Sequence, residues 1–521
     1  MTRSLSRLLL AVMFALLVMR LVGFLGNSEQ ALRWPFELDY GEGIVWQQAK
    51  MMFTPAAFGP IDGFPTIVFH YTPLFHAATR ALSAATGMDM LIAGRTVSIG
   101  STLLSALVIG LIVIQAAPKG TDRAAGWIAA TAGGLIVFCL YPVLFWAQLM
   151  RVDMLAFLLS LLGIWAGVKA AERRAWVHVA ALCFVAAAFT KQTSITAPAA
   201  LFGLLFWVRP RTAFAGIATC IVTGLTTLGV LQWATDGGFI RHVFLYNINR
   251  FEWDRLNAII TTIGVHGPLF GVVLIMAGRR IADLRGRLSG APRGAVAESR
   301  SDFAFVIVLA YALTSTLMLV SIAKSGSSVN YLIEWLFVMA ILGGIGLYDS
   351  AQFAVAKGAT EAPRDARFLL AVLGVPLALA AHAWLIKPES FDVFWNKARV
   401  PQLVALSARV KAADKPIIAD DMVMLLRSGK DVVWEPAIFA ELASKGVWDE
   451  KPFAQRIRRG EFAMFITVGQ RGRKLFDSRY NPAVADAMDA AYPVKEILAG
   501  YTLHLPKPAS SSAKPAPPQQ P

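Results

Sequence analysis

Asp39 and Glu42 lie three apart in "FELDYGEGIVWQQA", residues 36–49, beside two glycines and close behind the first apolar run of the chain. Two readings of this D-x-x-E stand side by side. In one, Asp39 caps a short helix and Glu42 answers from its third position, a capping box. Gly41 in the first turn fits that poorly, because glycine is a weak helix former. In the other, Asp39 is a general base and Glu42 orients it or shares a divalent cation with it. A carboxyl in a dry cavity beside lipid has its pKa raised toward a useful value, whereas capping N–H groups favour the ionised form.

Other polar residues stand out against apolar surroundings. Arg151 and Asp153 in "WAQLMRVDMLAFLL" sit at the start of an apolar run. A carboxylate suits a helix N-terminus, but an arginine there opposes the helix dipole and calls for an anionic partner. Lys191 in "FTKQTS" is either a snorkelling lysine or a phosphate ligand. Glu334 lies about one turn into "NYLIEWLFVMAILGG", with Asn330 and Tyr331 on its face; a carboxylate inside an apolar helix is functional by default. Lys324 opens "KSGSS", a turn with the makings of an anion cradle. His70 and His76 in "FHYTPLFH" are separated by Pro73, so one helix face does not carry both and a zinc site is not expected. Asp420 and Asp421 in "ADDMVMLL" read most simply as the start of a helix. No nucleotide-binding glycine pattern occurs.

The elements that hold these residues belong to a membrane. The 521 residues are 56% hydrophobic and 16% charged, against about 25% charged in soluble domains. Runs of membrane-crossing length appear near 5–26, 91–115, 124–146, 152–171, 175–190, 193–208, 212–233, 259–278, 302–323, 331–349 and 368–386, roughly eleven spans. The first is expected to be a retained anchor rather than a cleaved signal. With the N-terminus in the cytoplasm, the short basic loops all fall on that side, including 279–300 with its six arginines, as the positive-inside rule asks. Topology therefore accounts for the net charge of +15 without nucleic acid. Cys139, Cys183 and Cys220 lie in apolar runs, so no disulfide framework is expected.

The opposite face receives "LDYGEG", "HYTPLFH", "AQLMRVD", "TKQTS", "YNINRFEWDR" and "KSGSSVNYLIE". Residues 387–505 alternate β-like runs (KPIIA, DVVW, FAMFITV) with helical ones (MVMLLRS, AIFAELASKG, PFAQRIRRG), the pattern of a small α/β domain. Odd span parity puts it outside, in the periplasm of a Gram-negative cell. Residues 506–521 are a Pro/Ser/Ala-rich tail expected to be disordered.

Taken in order, "LDYGEG", "HYTPLFH", Gly94-Arg95, "RVDMLAFLLSLLG" and "TKQTSITAPAA" resemble segments of the GT-C superfamily of membrane glycosyltransferases, in the branch of protein O-mannosyltransferases and the lipid A aminoarabinose transferase. The resemblance covers about residues 1–350. It implies an α-helical polytopic fold of about 11 transmembrane helices, with a catalytic membrane part over 1–386, a first outer loop over 27–90 and an extracytoplasmic α/β domain over 387–505. It implies transfer of a sugar from a polyprenyl-phosphate donor to an envelope acceptor at the outer face of the bacterial inner membrane. Asp39 would be the base of an inverting displacement, with Glu42 beside it, and either could hold a metal ion. Arg95, Arg151, Lys191 and Lys324 would bind donor phosphate. His70, Tyr71, Asp153, Gln192, Asn330, Tyr331 and Glu334 would contact substrate. The alternatives are a flippase for the same lipid, which predicts broken, pseudo-symmetric spans, and an O-antigen-type polymerase or ligase built on Arg241, His242 and Arg250.

Overall fold

A computed structural model describes residues 2–118, 123–358, 369–387 and 397–507. Each apolar run falls on a helical segment. The first is α1 (Thr2–Arg33); α2 (Gly41–Met51) and α3 (Leu74–Thr86) lie within the long first loop. The bundle resumes with α4 (Met90–Gln115), α5 (Arg123–Ile136), α6 (Tyr141–Trp146), α7 (Asp153–Lys169), α8 (Trp176–Ala188), α9 (Thr196–Val208) and α10 (Pro210–Ala234). Later helices cover Asn257–Val265, Gly267–Arg287, Arg300–Met318, Ile333–Gly358 and Val375–Leu385.

Five helices among the described residues are long and apolar enough to cross a membrane unaided, and six if one bent pair is a single span. This is a multi-pass membrane protein. Burial sorts the helices. The Val329–Phe353 window is 94% buried and forms the centre, whereas the α10 window is 6% buried. The outward residues of α10 include Ile221, Val222, Leu225 and Val230. An apolar face on a helix this exposed has lipid as its solvent.

Two runs read as continuous are broken. The run 124–146 divides because Leu140 is extended and Pro142 opens α6; proline supplies no N–H, so the first helical turn is where it is tolerated. Trp253–Val265 and Gly267–Arg287 meet at 77°, with Pro268 in the first turn of the second helix. The breaks are joined: Tyr141 N–H donates to His266 Nε2 at 3.1 Å. The expectation of unbroken spans is corrected accordingly.

The C-terminal region carries a mixed sheet of β1 (Ile417–Ala419), β2 (Met464–Thr467), β3 (Val494–Leu498) and β4 (Tyr501–Leu505) in the order β1-β2-β4-β3. β1 and β2 are parallel, and the other pairings are antiparallel. Ala499 and Gly500, both at positive φ, make the tight two-residue turn that matches strand twist. The helical readings hold at Met422–Arg427, Pro436–Ser444 and Lys451–Arg458. "DVVW" is not a strand. It lies along the first loop, where Thr66 N–H donates to Val433 O at 2.9 Å and Val432 N–H to Gln47 Oε1 at 3.2 Å. Ile61 and Val68 of that loop share a hydrophobic core with Ile418, Trp434, Phe439 and Phe465. Residues 508–521 of the expected tail lie outside the described residues.

Candidate functional site

The two glycines of "DYGEG" are explained by what passes over them. A Cβ on Gly41 would stand 1.2 Å from Arg151 Nη1, and one on Gly43 would stand 2.4 Å from Met422 Cβ. The first glycine admits a guanidinium from the start of α7, and the second admits the C-terminal helix Met422–Arg427. Asp39 Oδ2 accepts from Gly41 N–H at 3.0 Å and lies 3.2 Å from Arg151 Nη1. This pair remains reachable, with side chains 25% and 12% exposed. The Arg151 guanidinium also lies 5.1 Å from the Trp146 ring centre.

Glu42 faces the other way. Its Oε1 accepts from Arg95 Nε at 2.8 Å and Met150 N–H at 2.9 Å; its Oε2 accepts from Leu38 N–H and Arg95 Nη2, both at 2.7 Å. Four bonds fill the acceptor capacity of a carboxylate. Arg95 is equally committed, since its remaining donors reach Ala31 O, Trp34 O and Phe36 O. All five guanidinium donors are engaged, which leaves none for a phosphate. The expectation that Arg95 binds donor phosphate, and that Glu42 shares a metal with Asp39, therefore gives way to a buried clamp fastening the first loop to α4. Among the described residues no group of three or more His, Cys, Asp or Glu side chains is arranged to hold a metal ion.

A second buried cluster lies just inside. Asp153 accepts from Trp146 Nε1 at 2.8 Å, Lys191 Nζ at 2.6 Å and Asn330 Nδ2 at 2.8 Å. Lys191 sits 4.4 Å from the Tyr331 ring centre. Its pairing with Asp153 is short and buried, with side chains 6% and 1% exposed, whereas the Arg151–Asp39 pair is longer and Arg151 Nε has no partner, so Arg151 is the better placed to meet a phosphate. Glu334 Oε1 takes Thr196 Oγ1 at 2.6 Å and Tyr311 Oη at 2.7 Å, tying three helices together. Lys324 is exposed, and its backbone bridges to Phe251. His242, considered for a polymerase, accepts from Phe69 N–H and bonds Gly59 O, so both its nitrogens serve the loop.

The C-terminal region closes the site from the opposite side. Tyr40 lies beneath Arg479, 3.8 Å from ring centre to guanidinium. Glu435, immediately before Pro436–Ser444, makes no capping bond and points at His70, with Oε2 3.7 Å from Nε2. Burial pushes the Glu435 carboxyl up to about 8 against the pull of Arg151 and Arg479. Burial, reinforced by Arg151, lowers His70 to about 4. Tyr71 feels both Arg151 and Lys191, and Gln192 Nε2 holds His70 O at 2.7 Å. A cavity of about 150 Å³ adjoins Asp39, lined also by Glu37, Tyr40, Arg399, Asp421 and Tyr501. Asp421 is the helix cap expected from the sequence, accepting from Met424 N–H at 2.8 Å. Glu435 escaped the sequence reading because nothing in "VWEPAIF" distinguishes it from an ordinary residue before a helix-opening proline.

This architecture is similar in fold to three solved membrane-protein structures. ArnT from Cupriavidus metallidurans in the apo state matches with a TM-score of 0.57 and 13% identity, over 93% of this chain and 97% of that one. ArnT bound to undecaprenyl phosphate gives 0.51 and 15% identity over 86% and 92%. The apo oligosaccharyltransferase of Archaeoglobus fulgidus gives 0.52 and 9% identity over 88% of this chain and 69% of that chain. At such identities the likeness is one of fold. No protein-family model and no curated protein sequence matches the chain.

Proposed function

We propose that this protein is a glycosyltransferase that moves a sugar from a polyprenyl-phosphate carrier to a hydroxyl-bearing acceptor of the cell envelope, at the outer face of the bacterial inner membrane. Residues 1–386 would form the membrane catalytic part and 387–505 an extracytoplasmic α/β domain. The observation that carries the reading is the partly accessible Asp39–Arg151 pair, at 3.2 Å, where the first loop meets the start of α7. ArnT, of the same fold, has been solved with undecaprenyl phosphate, the carrier chemistry the reading requires.

In the proposed mechanism the donor phosphate takes the Arg151 guanidinium, a planar fork suited to phosphate oxygens. That exchange releases Asp39 from its ion pair. Asp39 then accepts the proton of the acceptor hydroxyl as the acceptor oxygen bonds to the anomeric carbon. The bond from that carbon to the phosphate oxygen breaks on the opposite side, inverting the centre. Its electron pair leaves on the carrier phosphate, whose charge Arg151 stabilises. Lys324 supplies further positive charge, and the Asp153–Lys191–Asn330 cluster positions the start of α7.

The test is Asp39→Asn in purified protein supplied with undecaprenyl-phosphate sugars and envelope acceptors. Transfer should fall by about 10²–10⁴-fold, the usual loss for a general base, while undecaprenyl phosphate still binds. A flippase reading takes support from the broken runs at Pro142 and Pro268; lipid movement across liposomes that survives Asp39→Asn, with no transfer by the unaltered chain, would favour it.

A further inference from the structure

Four buried polar atoms without a hydrogen-bond partner lie on His70 and on residues that touch it or act on it by charge. They are His70 Nδ1, Gln192 Oε1, Glu435 Oε2 and Arg151 Nε. Gln192 is bonded to His70 O, and Glu435 faces His70 at 3.7 Å. Unpaired buried polar atoms occur elsewhere in the protein too, but here four of them lie on or around His70, so one polar group could answer several at once. They include acceptors and an N–H donor, drawn from three separate stretches of the bundle side and one of the C-terminal region. No single ion satisfies such a mixture. A group that both donates and accepts does, and a sugar carries several of them.

We infer that Glu435, with His70 and Gln192, forms the subsite that holds hydroxyls of the carrier-linked sugar, making the C-terminal region a determinant of which sugar is used. This inference rests on the proposed function and adds to it where the sugar sits. The placement follows from covalent geometry: the sugar ring is bonded directly to the phosphate, so it must lie beside the cation that holds the phosphate. Arg151 is that cation, and it is close enough to act electrostatically on both His70 and Glu435. Near neutral pH Glu435 keeps its proton and His70 has lost its own. A neutral acid and a neutral imidazole both donate and accept, which suits uncharged hydroxyls better than an ammonium group. The side chain of Glu435 reaches the site because the segment before Pro436 is drawn against the first loop, where Ala437 N–H donates to Tyr40 Oη at 3.2 Å.

The experiment compares binding of undecaprenyl phosphate alone with undecaprenyl phosphate carrying glucose, mannose or arabinose, using the full chain in lipid nanodiscs. In the unaltered chain at least one sugar should add about tenfold in affinity, the size of one or two buried hydrogen bonds. Glu435→Ala and His70→Ala should lose that increment and keep their affinity for the bare carrier. Glu435→Gln, which still donates and accepts, should retain most of it. Thermal melting of each variant confirms that it is folded. An increment that survives both alanine variants, equal losses for bare and sugar-bearing carrier, or no increment for any sugar in the unaltered chain would each overturn the inference while leaving the carrier reading intact. An unaltered chain that binds no undecaprenyl phosphate would instead sink the proposed function itself.

Discussion

Arg151 Nη1 occupies the space in which a side chain at residue 41 would begin, since a Cβ on Gly41 would lie 1.2 Å from it. Glycine at 41 is thus a condition for the Asp39–Arg151 pair. Gly41→Ala should displace the guanidinium and lower transfer by about 10²-fold, the cost of a misplaced charge near the chemistry. Helix propensity pushes stability the other way, by up to about 1 kcal/mol in favour of alanine. Turnover and melting temperature measured together test this. Full activity in Gly41→Ala would show that the pair is dispensable.

The Glu42–Arg95 clamp should behave as structure. Glu42→Ala leaves a fully buried guanidinium without its carboxylate, a change that typically costs about 3–5 kcal/mol. The protein should melt far earlier or fail to accumulate. Arg95→Lys should not rescue it, because one ammonium does not reach the five positions the guanidinium serves. Normal melting with lost transfer in Glu42→Ala would return Glu42 to the catalytic group.

Arg151 and Lys191 should separate cleanly. Arg151→Ala should weaken binding of undecaprenyl phosphate by about tenfold, one charge-assisted contact, with little change in melting. Lys191→Met should instead strand the buried Asp153 carboxylate and lower stability by about 3–5 kcal/mol. Titration of each variant with undecaprenyl phosphate, beside its melting curve, checks the division. Equal loss of binding in two equally stable variants would restore Lys191 to the phosphate site.

Glu435 sets a pH dependence of stability. Its folded value of about 8 lies above the ordinary value of about 4.3. The folded chain therefore keeps a proton that the unfolded chain releases, and stability falls as pH rises across that interval. His70, lowered to about 4, works oppositely: its contribution is present above about 6.5 and is lost as pH falls toward 4. Glu435→Gln should melt increasingly above the unaltered chain between pH 5 and pH 8. A constant difference over that range would mean that Glu435 is ionised in the fold.

The apolar runs were legible in the sequence because lipid imposes a length and a composition on every helix that faces it. Breaks at Pro142 and Pro268 were less so, since proline inside an apolar run reads equally as a tolerated kink. β3 and β4 went unread. Val494–Leu498 is exposed along most of its length, so it lacks the in-and-out alternation that announces a strand. Within the site, Asp39 and Arg151 drew notice because each contradicts its local setting. The bond between Glu42 and Arg95 spans 53 residues, and that between Trp448 and Ile61 spans 387. Neither spacing leaves a local signature, so pairing of this kind appears only when the chain is folded.

The hydrophobic core shared by Ile61 and Val68 with Ile418, Trp434 and Phe465 has a consequence for biosynthesis. The first loop leaves the ribosome before the strands and helices that cover it, with the membrane helices made in between. Throughout the insertion of the intervening helices, Ile61 and Val68 are without their final neighbours. A nascent chain stalled or cleaved after Val375–Leu385 therefore displays an uncovered apolar surface on a loop that otherwise looks finished. Completion of the loop's core therefore waits until residues 418–465 have been made and folded against it.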